Sequence, residues 1–176
     1  YNGLARINIC VYPPNLRHQC SGFYMQVPYI NLALQHQNIK AELLSAVESI
    51  LVSGQFILGE EVKKFEESLA KIAGAKHAIG VDNGTDALVL ALKALGIGKG
   101  DEVITAPNSF LASASCISLV GAKIVFADVR DDFNLDPLKV EKAITKRTKA
   151  IIAVHLTGRP ADMDALQKIC KRNKLY

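Results

Sequence analysis

Two short stretches of this 176-residue chain hold residue types whose spacing could do chemistry. In the first, Asn83-Gly84-Thr85-Asp86, the glycine permits close backbone approach, and Asn83, Thr85 or Asp86 can cap a helix that follows. Such a turn offers free amides and the positive end of a helix to a phosphate. The second, Pro107-Asn108-Ser109-Phe110, presents an aromatic ring from a loop. A phosphate grip beside an aromatic face points to a flat, phosphorylated cofactor.

The elements that must hold these loops are legible around them. Lys76–Val81 predicts a strand running into the first turn, and Thr85–Leu95 predicts a helix apolar on nearly every side. A helix of that kind is buried between a sheet and another layer, or at a subunit contact. Glu102–Ala106 predicts the strand that empties into the second loop, so both loops are expected on one edge of one sheet. Phe110–Val120 is a helix of small residues ended by Gly121, and Lys123–Val129 is a further strand. Asp136-Pro137 opens a helix that runs to Thr145, with the aspartate capping and the proline in the first helical position. Lys149–His155 reads as another buried strand, and residues 161–173 as an amphipathic helix.

Upstream, Asn38–Ser53 reads as a helix stopped by Gly54, after a short extended segment beginning near Met25. Gly59 precedes a second helix, with Val62, Phe65, Leu69 and Ile72 inward and charged residues outward, Glu60 paired with Lys64. Strands alternating with helices at this rhythm predict an α/β fold of three layers, a mostly parallel sheet with flanking helices. Gly96, Gly98 and Gly100 have GxGxG spacing and precede a strand, which excludes the dinucleotide-binding fingerprint.

Residues 1–24 show no sustained periodicity, contain Pro13-Pro14 and precede the first methionine, Met25. They are expected to be a non-native or unstructured extension, with residues 25–176 carrying the fold. The final helix should hand over to another strand at Leu175-Tyr176. The chain therefore reads as the front part of a longer α/β protein.

The charge is +4, of which Arg6 and Arg17 supply two without any acid nearby, too little to call for a nucleic acid or other polyanion. The Lys and Arg residues of 139–174 spread along helical outer faces and read as solvated. Cysteines at 10, 20, 116 and 170 lack metal or disulfide spacing, and no apolar run is long enough for a membrane helix. A reduced, cytoplasmic protein is expected.

From about Val27 to Tyr176 the sequence resembles the DegT/StrS family of pyridoxal-phosphate-dependent sugar aminotransferases, within the aspartate aminotransferase (fold type I) superfamily. The segments GQFILGEEVKKFEESLA, NGTDALVLALKALGIGKGDEVITAPNSFLASASCISLVGAKIVFADV and TKAIIAVHLTGRPADMDALQKIC carry the resemblance. It implies the N-terminal portion of the transferase large domain. It also implies that the amides of Thr85 and Asp86, with the Thr85 hydroxyl, hold the phosphate of pyridoxal 5′-phosphate. Gly84 gives the approach, and Phe110 stacks on the pyridine ring.

The implied reaction moves an amino group from an amino acid, glutamate in the family, to a nucleotide-linked keto sugar, in a homodimer. Two alternatives share the fold: a pyridoxamine-phosphate sugar dehydratase, and a non-catalytic regulatory protein that binds the cofactor. The Schiff-base lysine and the carboxylate paired with the pyridine nitrogen are expected beyond Tyr176, so no catalytic residue is assigned within the chain. Asn108 and Ser109 either border the substrate or form a turn. His155 reads as a satisfied structural group at a strand's end, and Thr157 and Arg159 depart from the family's pattern.

Overall fold

The computed structural model describes residues 30–176. The extension expected at 1–24 lies outside the described residues. The chain divides at His77 into two units, the first ending there and the second running from Ala78 to Tyr176.

Within the described part of the first unit there are three helices, α1 (Leu32–Gln37), α2 (Lys40–Ser53) and α3 (Glu60–Ala73). Asn31 starts α1 by accepting the Leu34 N–H on its side chain at 3.0 Å, which turns an expected extended segment into a helix. Gly54 ends α2 in the left-handed conformation, φ 67°, with its N–H on the Ile50 carbonyl. Lys64 pairs with Glu61, one turn back, rather than with the expected Glu60. The inward stripe read for α3 is open: Phe65 is 61% and Ile72 83% exposed. Among the described residues of this unit no strand is present to cover it.

The second unit is the α/β part. Its helices are α4 (Gly84–Ala94), α5 (Ala112–Leu119), α6 (Pro137–Ala143) and α7 (Met163–Asn173), and its strands are β1 (Glu102–Thr105), β2 (Lys123–Phe126) and β3 (Thr148–Ile152). The strands form a sheet in the order β2-β1-β3, all parallel. Val103 pairs with Ala150 and Ile104 with Ile151, so successive residues of the central strand serve opposite faces. On one face Val103 and Ala150 pack with Leu92 of α4 and with Cys116 and Ile117 of α5. On the other, Ile104 packs with Val140 of α6 and with Leu166 and Ile169 of α7. Helices on both faces of a parallel sheet give the expected three layers.

At the start of β1 the buried Glu102 carboxylate accepts from Thr145 Oγ1 at 2.5 Å and from Arg147 at 2.8 Å, with Lys123 at 3.4 Å. The Thr145 hydrogen bond first, then Arg147 and Lys123, holds this carboxyl below its ordinary range against the opposing cost of burial. The cluster ties β1 to the strand starts on either side. Asp136 caps α6 by accepting the Leu138 N–H, with Pro137 in the first turn, as read from the sequence. Beyond β3, the Tyr176 N–H donates to the Lys149 carbonyl and the Ile151 N–H to the Tyr176 carbonyl, both at 3.0 Å. That pair of bonds sets Tyr176 in parallel register along the outer edge of β3.

One expected strand is absent. Lys76–Val81 runs as coil into α4, with Ile79 81% exposed. Apolar and β-branched residues favour a strand only where a neighbouring backbone lines up beside them, and propensity alone does not provide one.

Candidate active-site cleft

Both sequence-selected loops open at the C-terminal ends of the strands, where open parallel sheets gather ligands. A cleft of about 550 Å³ lies there, lined by Gly84, Thr85 and Leu88 from the start of α4, by Ser109, Phe110 and Ser113 around the start of α5, and by Val154 to Thr157 after β3. The sequence predicted the first two walls and not the third.

The floor is the first turn of α4. Asn83 has extended backbone and accepts the Asp86 N–H on Oδ1 at 2.9 Å, while its amide donates to the carboxylates of Asp82 and Asp86 at 2.9 and 3.0 Å. Of the three capping candidates, Asn83 is therefore the cap. The bond occupies the Asp86 amide. Gly84 and Thr85 open the same turn, where helix geometry leaves N–H groups without an intrahelical acceptor. A side chain at Gly84 would meet no atom within 4 Å, so that position faces open space. Among the described residues lining the cleft there is no Lys or Arg. The polar groups at this end of the cleft are amides of the helix start and the hydroxyls of Thr85, Ser109 and Ser113.

Phe110 is 80% exposed. It stands at a cleft wall rather than in the core, the alternative for an aromatic at a helix start. Ser109 and Ser113 share a hydrogen bond of 2.8 Å, and Asn108 donates to the Phe133 carbonyl at 3.0 Å, so Asn108 serves its loop and does not line the cleft.

The third wall is a single 3-10 turn, Leu156–Gly158, held from three directions. Buried Asn134 accepts the Leu156 N–H at 3.1 Å and donates to the Arg159 carbonyl at 3.2 Å. His155 Nδ1 accepts the Ala161 N–H at 3.0 Å. Behind Asn134, Asp132 accepts the Asn134 N–H at 3.0 Å and pairs with Arg130. That amide first, with Arg130 and Arg159, holds the Asp132 carboxyl below its usual range. Within the turn, Thr157 has φ 54°, a left-handed conformation costly for a β-branched residue. Asn134 was missed from sequence because its contacts span more than twenty positions.

Residues 37–176 match the family model described as the DegT/DnrJ/EryC1/StrS aminotransferase family. The chain belongs to this family. It is 47% identical over 152 residues to a "pleiotropic regulatory protein" of Geobacillus stearothermophilus, covering 86% of this chain and 41% of that protein. It is 45% identical over 152 residues to a dTDP-3-amino-3,4,6-trideoxy-alpha-D-glucose transaminase of Streptomyces venezuelae, covering 86% of this chain and 40% of that protein. Among solved structures it is similar to NtdA of Bacillus subtilis with bound cofactor PMP, at 35% identity and a TM-score of 0.80 over 85% of this chain and 35% of that one. The chain thus spans about two fifths of the length of the curated relatives it matches. Among the described residues no helix is long and apolar enough to cross a membrane.

Proposed function

We propose that this chain is the cofactor-cradling, N-terminal portion of a pyridoxal-phosphate-dependent aminotransferase that moves an amino group from an amino acid, glutamate by resemblance, to a nucleotide-linked keto sugar. The observation that carries the reading is the convergence of an open, glycine-started helix end and the exposed Phe110 ring on one cleft of a family member. The transaminase name of the Streptomyces relative and the cofactor in the Bacillus structure support it.

The residues fit the group. The Gly84 and Thr85 amides and the Thr85 hydroxyl would hold the phosphate, with the α4 dipole favouring its charge. The Asp86 amide is engaged by Asn83, so its contribution is to rigidify the turn. Phe110 would cover one face of the ring and exclude water from it. The bound group would supply the electron sink that amino transfer needs. The Schiff-base lysine and the pyridine-binding carboxylate are proposed to follow Tyr176, whose backbone already runs along the β3 edge. We further propose a homodimeric, cytoplasmic protein, the exposed Leu90 of α4 and Leu95 at its C-cap being apolar surface available to a second copy.

The test is amino transfer by the complete protein, from ¹⁵N-labelled glutamate to a panel of nucleotide-linked keto sugars. Label in the sugar product is expected; label nowhere but in glutamate contradicts the proposal. The name of the Geobacillus relative favours a second reading, a regulatory protein that binds the cofactor without turnover. It predicts binding with no labelled product.

A further inference from the structure

Resting on that reading, we infer that His155 is a ligand-binding donor of the cleft, offering its Nε2–H to an anionic oxygen of the bound group. Three observations converge. His155 lines the same cleft as Gly84 and Thr85 of the first turn of α4. Its Nδ1 accepts the Ala161 N–H at 3.0 Å, which leaves that nitrogen unprotonated in the neutral ring and puts the proton on Nε2. The ring is exposed, on a turn whose backbone is fixed by the buried Asn134 carboxamide on both sides of Thr157.

A histidine serving only its own loop needs no cleft. Here one nitrogen serves the loop and the other has no acceptor among the described residues. Among the described residues the cleft lining contains no Lys or Arg, so an imidazole N–H donor on this wall would add a polar contact to those the α4 amides offer. The oxygen belongs either to the phosphate or to the ionised ring hydroxyl of the cofactor. Asn134 is a positioning residue in this arrangement, setting the turn that aims the imidazole.

Two substitutions separate ligand binding from loop support. His155→Gln carries an amide N–H near the Nε2 position and loses the acceptor for Ala161, whereas His155→Asn keeps an acceptor near Nδ1 and loses the distal donor. The probe is pyridoxamine 5′-phosphate, which forms no imine with lysines, added to the complete protein labelled with ¹⁵N-histidine. The native protein is expected to show the Nε2–H tautomer at His155 and a shift of that signal on binding. His155→Asn should weaken binding by about fivefold and His155→Gln by about twofold or less. Melting temperatures should order the two variants the other way.

Inorganic phosphate and pyridoxamine without its phosphate, added separately, identify which oxygen is contacted by which of them moves the signal. Binding with an unmoved His155 signal, or with His155→Asn binding as tightly as native, overturns this inference and leaves the proposed function standing. No binding to the native protein overturns both.

Discussion

Asn83 accepts the Asp86 N–H at 2.9 Å and returns a hydrogen bond from its own amide to the Asp86 carboxylate at 3.0 Å, so cap and capped residue grip each other across the first turn of α4. The turn that faces the cleft is thereby braced before any ligand arrives. Asn83→Ala removes both bonds and should lower stability by about 1 kcal/mol, measured by urea denaturation. An unchanged midpoint would show that the cap contributes nothing.

Gly84 separates stability from binding. Its added Cβ meets nothing within 4 Å, and its φ is not in the left-handed region. Gly84→Ala should therefore fold and gain up to about 1 kcal/mol from helix propensity. Cofactor affinity should fall, because the methyl group stands in the space the phosphate needs. A melting scan and a titration with pyridoxamine 5′-phosphate check the two halves independently.

Phe110→Ala should leave the melting temperature within about a degree or two, since Phe110 is 80% exposed. Cofactor binding should weaken by about 1 kcal/mol from lost stacking. Loss of stability with unchanged affinity would return Phe110 to a structural role.

The Glu102 carboxyl is held low by Thr145, Arg147 and Lys123. Its folded-state pKa lies below its unfolded value, so the unfolded chain binds more protons between the two and stability rises with pH there. The contribution is fully present above the ordinary glutamate range and is lost as pH falls through the depressed folded value. Glu102→Gln should flatten the acid limb of a stability-against-pH curve, with Asp132 supplying part of the remaining slope.

Much of this was legible in the sequence, for physical reasons that differ by element. The three strands and α4 to α7 follow from apolar periodicity and local caps, as with Asp136-Pro137, whose bonds span two or three residues. The coil at 76–81 shows the limit: Ile79 and Val81 suit a strand, yet pairing depends on a neighbour their own residues do not specify. At the site, Gly84, Thr85 and Phe110 line one cleft, and they stand out in the sequence because turn chemistry and ring type are local signals. The Asp86 amide, expected by resemblance to hold phosphate, is bonded to Asn83 here, a pairing that the sequence left open among three capping candidates. His155 was read as satisfied, which is true of Nδ1 only. Asn134, which shapes the third wall, acts through contacts at 22 and 25 positions' separation, beyond any local pattern.

The central claim is that the start of α4 and Phe110 form the two halves of one cofactor cradle. A crystal structure of the complete protein with pyridoxamine 5′-phosphate tests it most directly. The expected result is a phosphate within hydrogen-bond distance of the Gly84 and Thr85 amides and a pyridine ring stacked on Phe110. A phosphate bound away from α4, or a ring with no contact to Phe110, would contradict it.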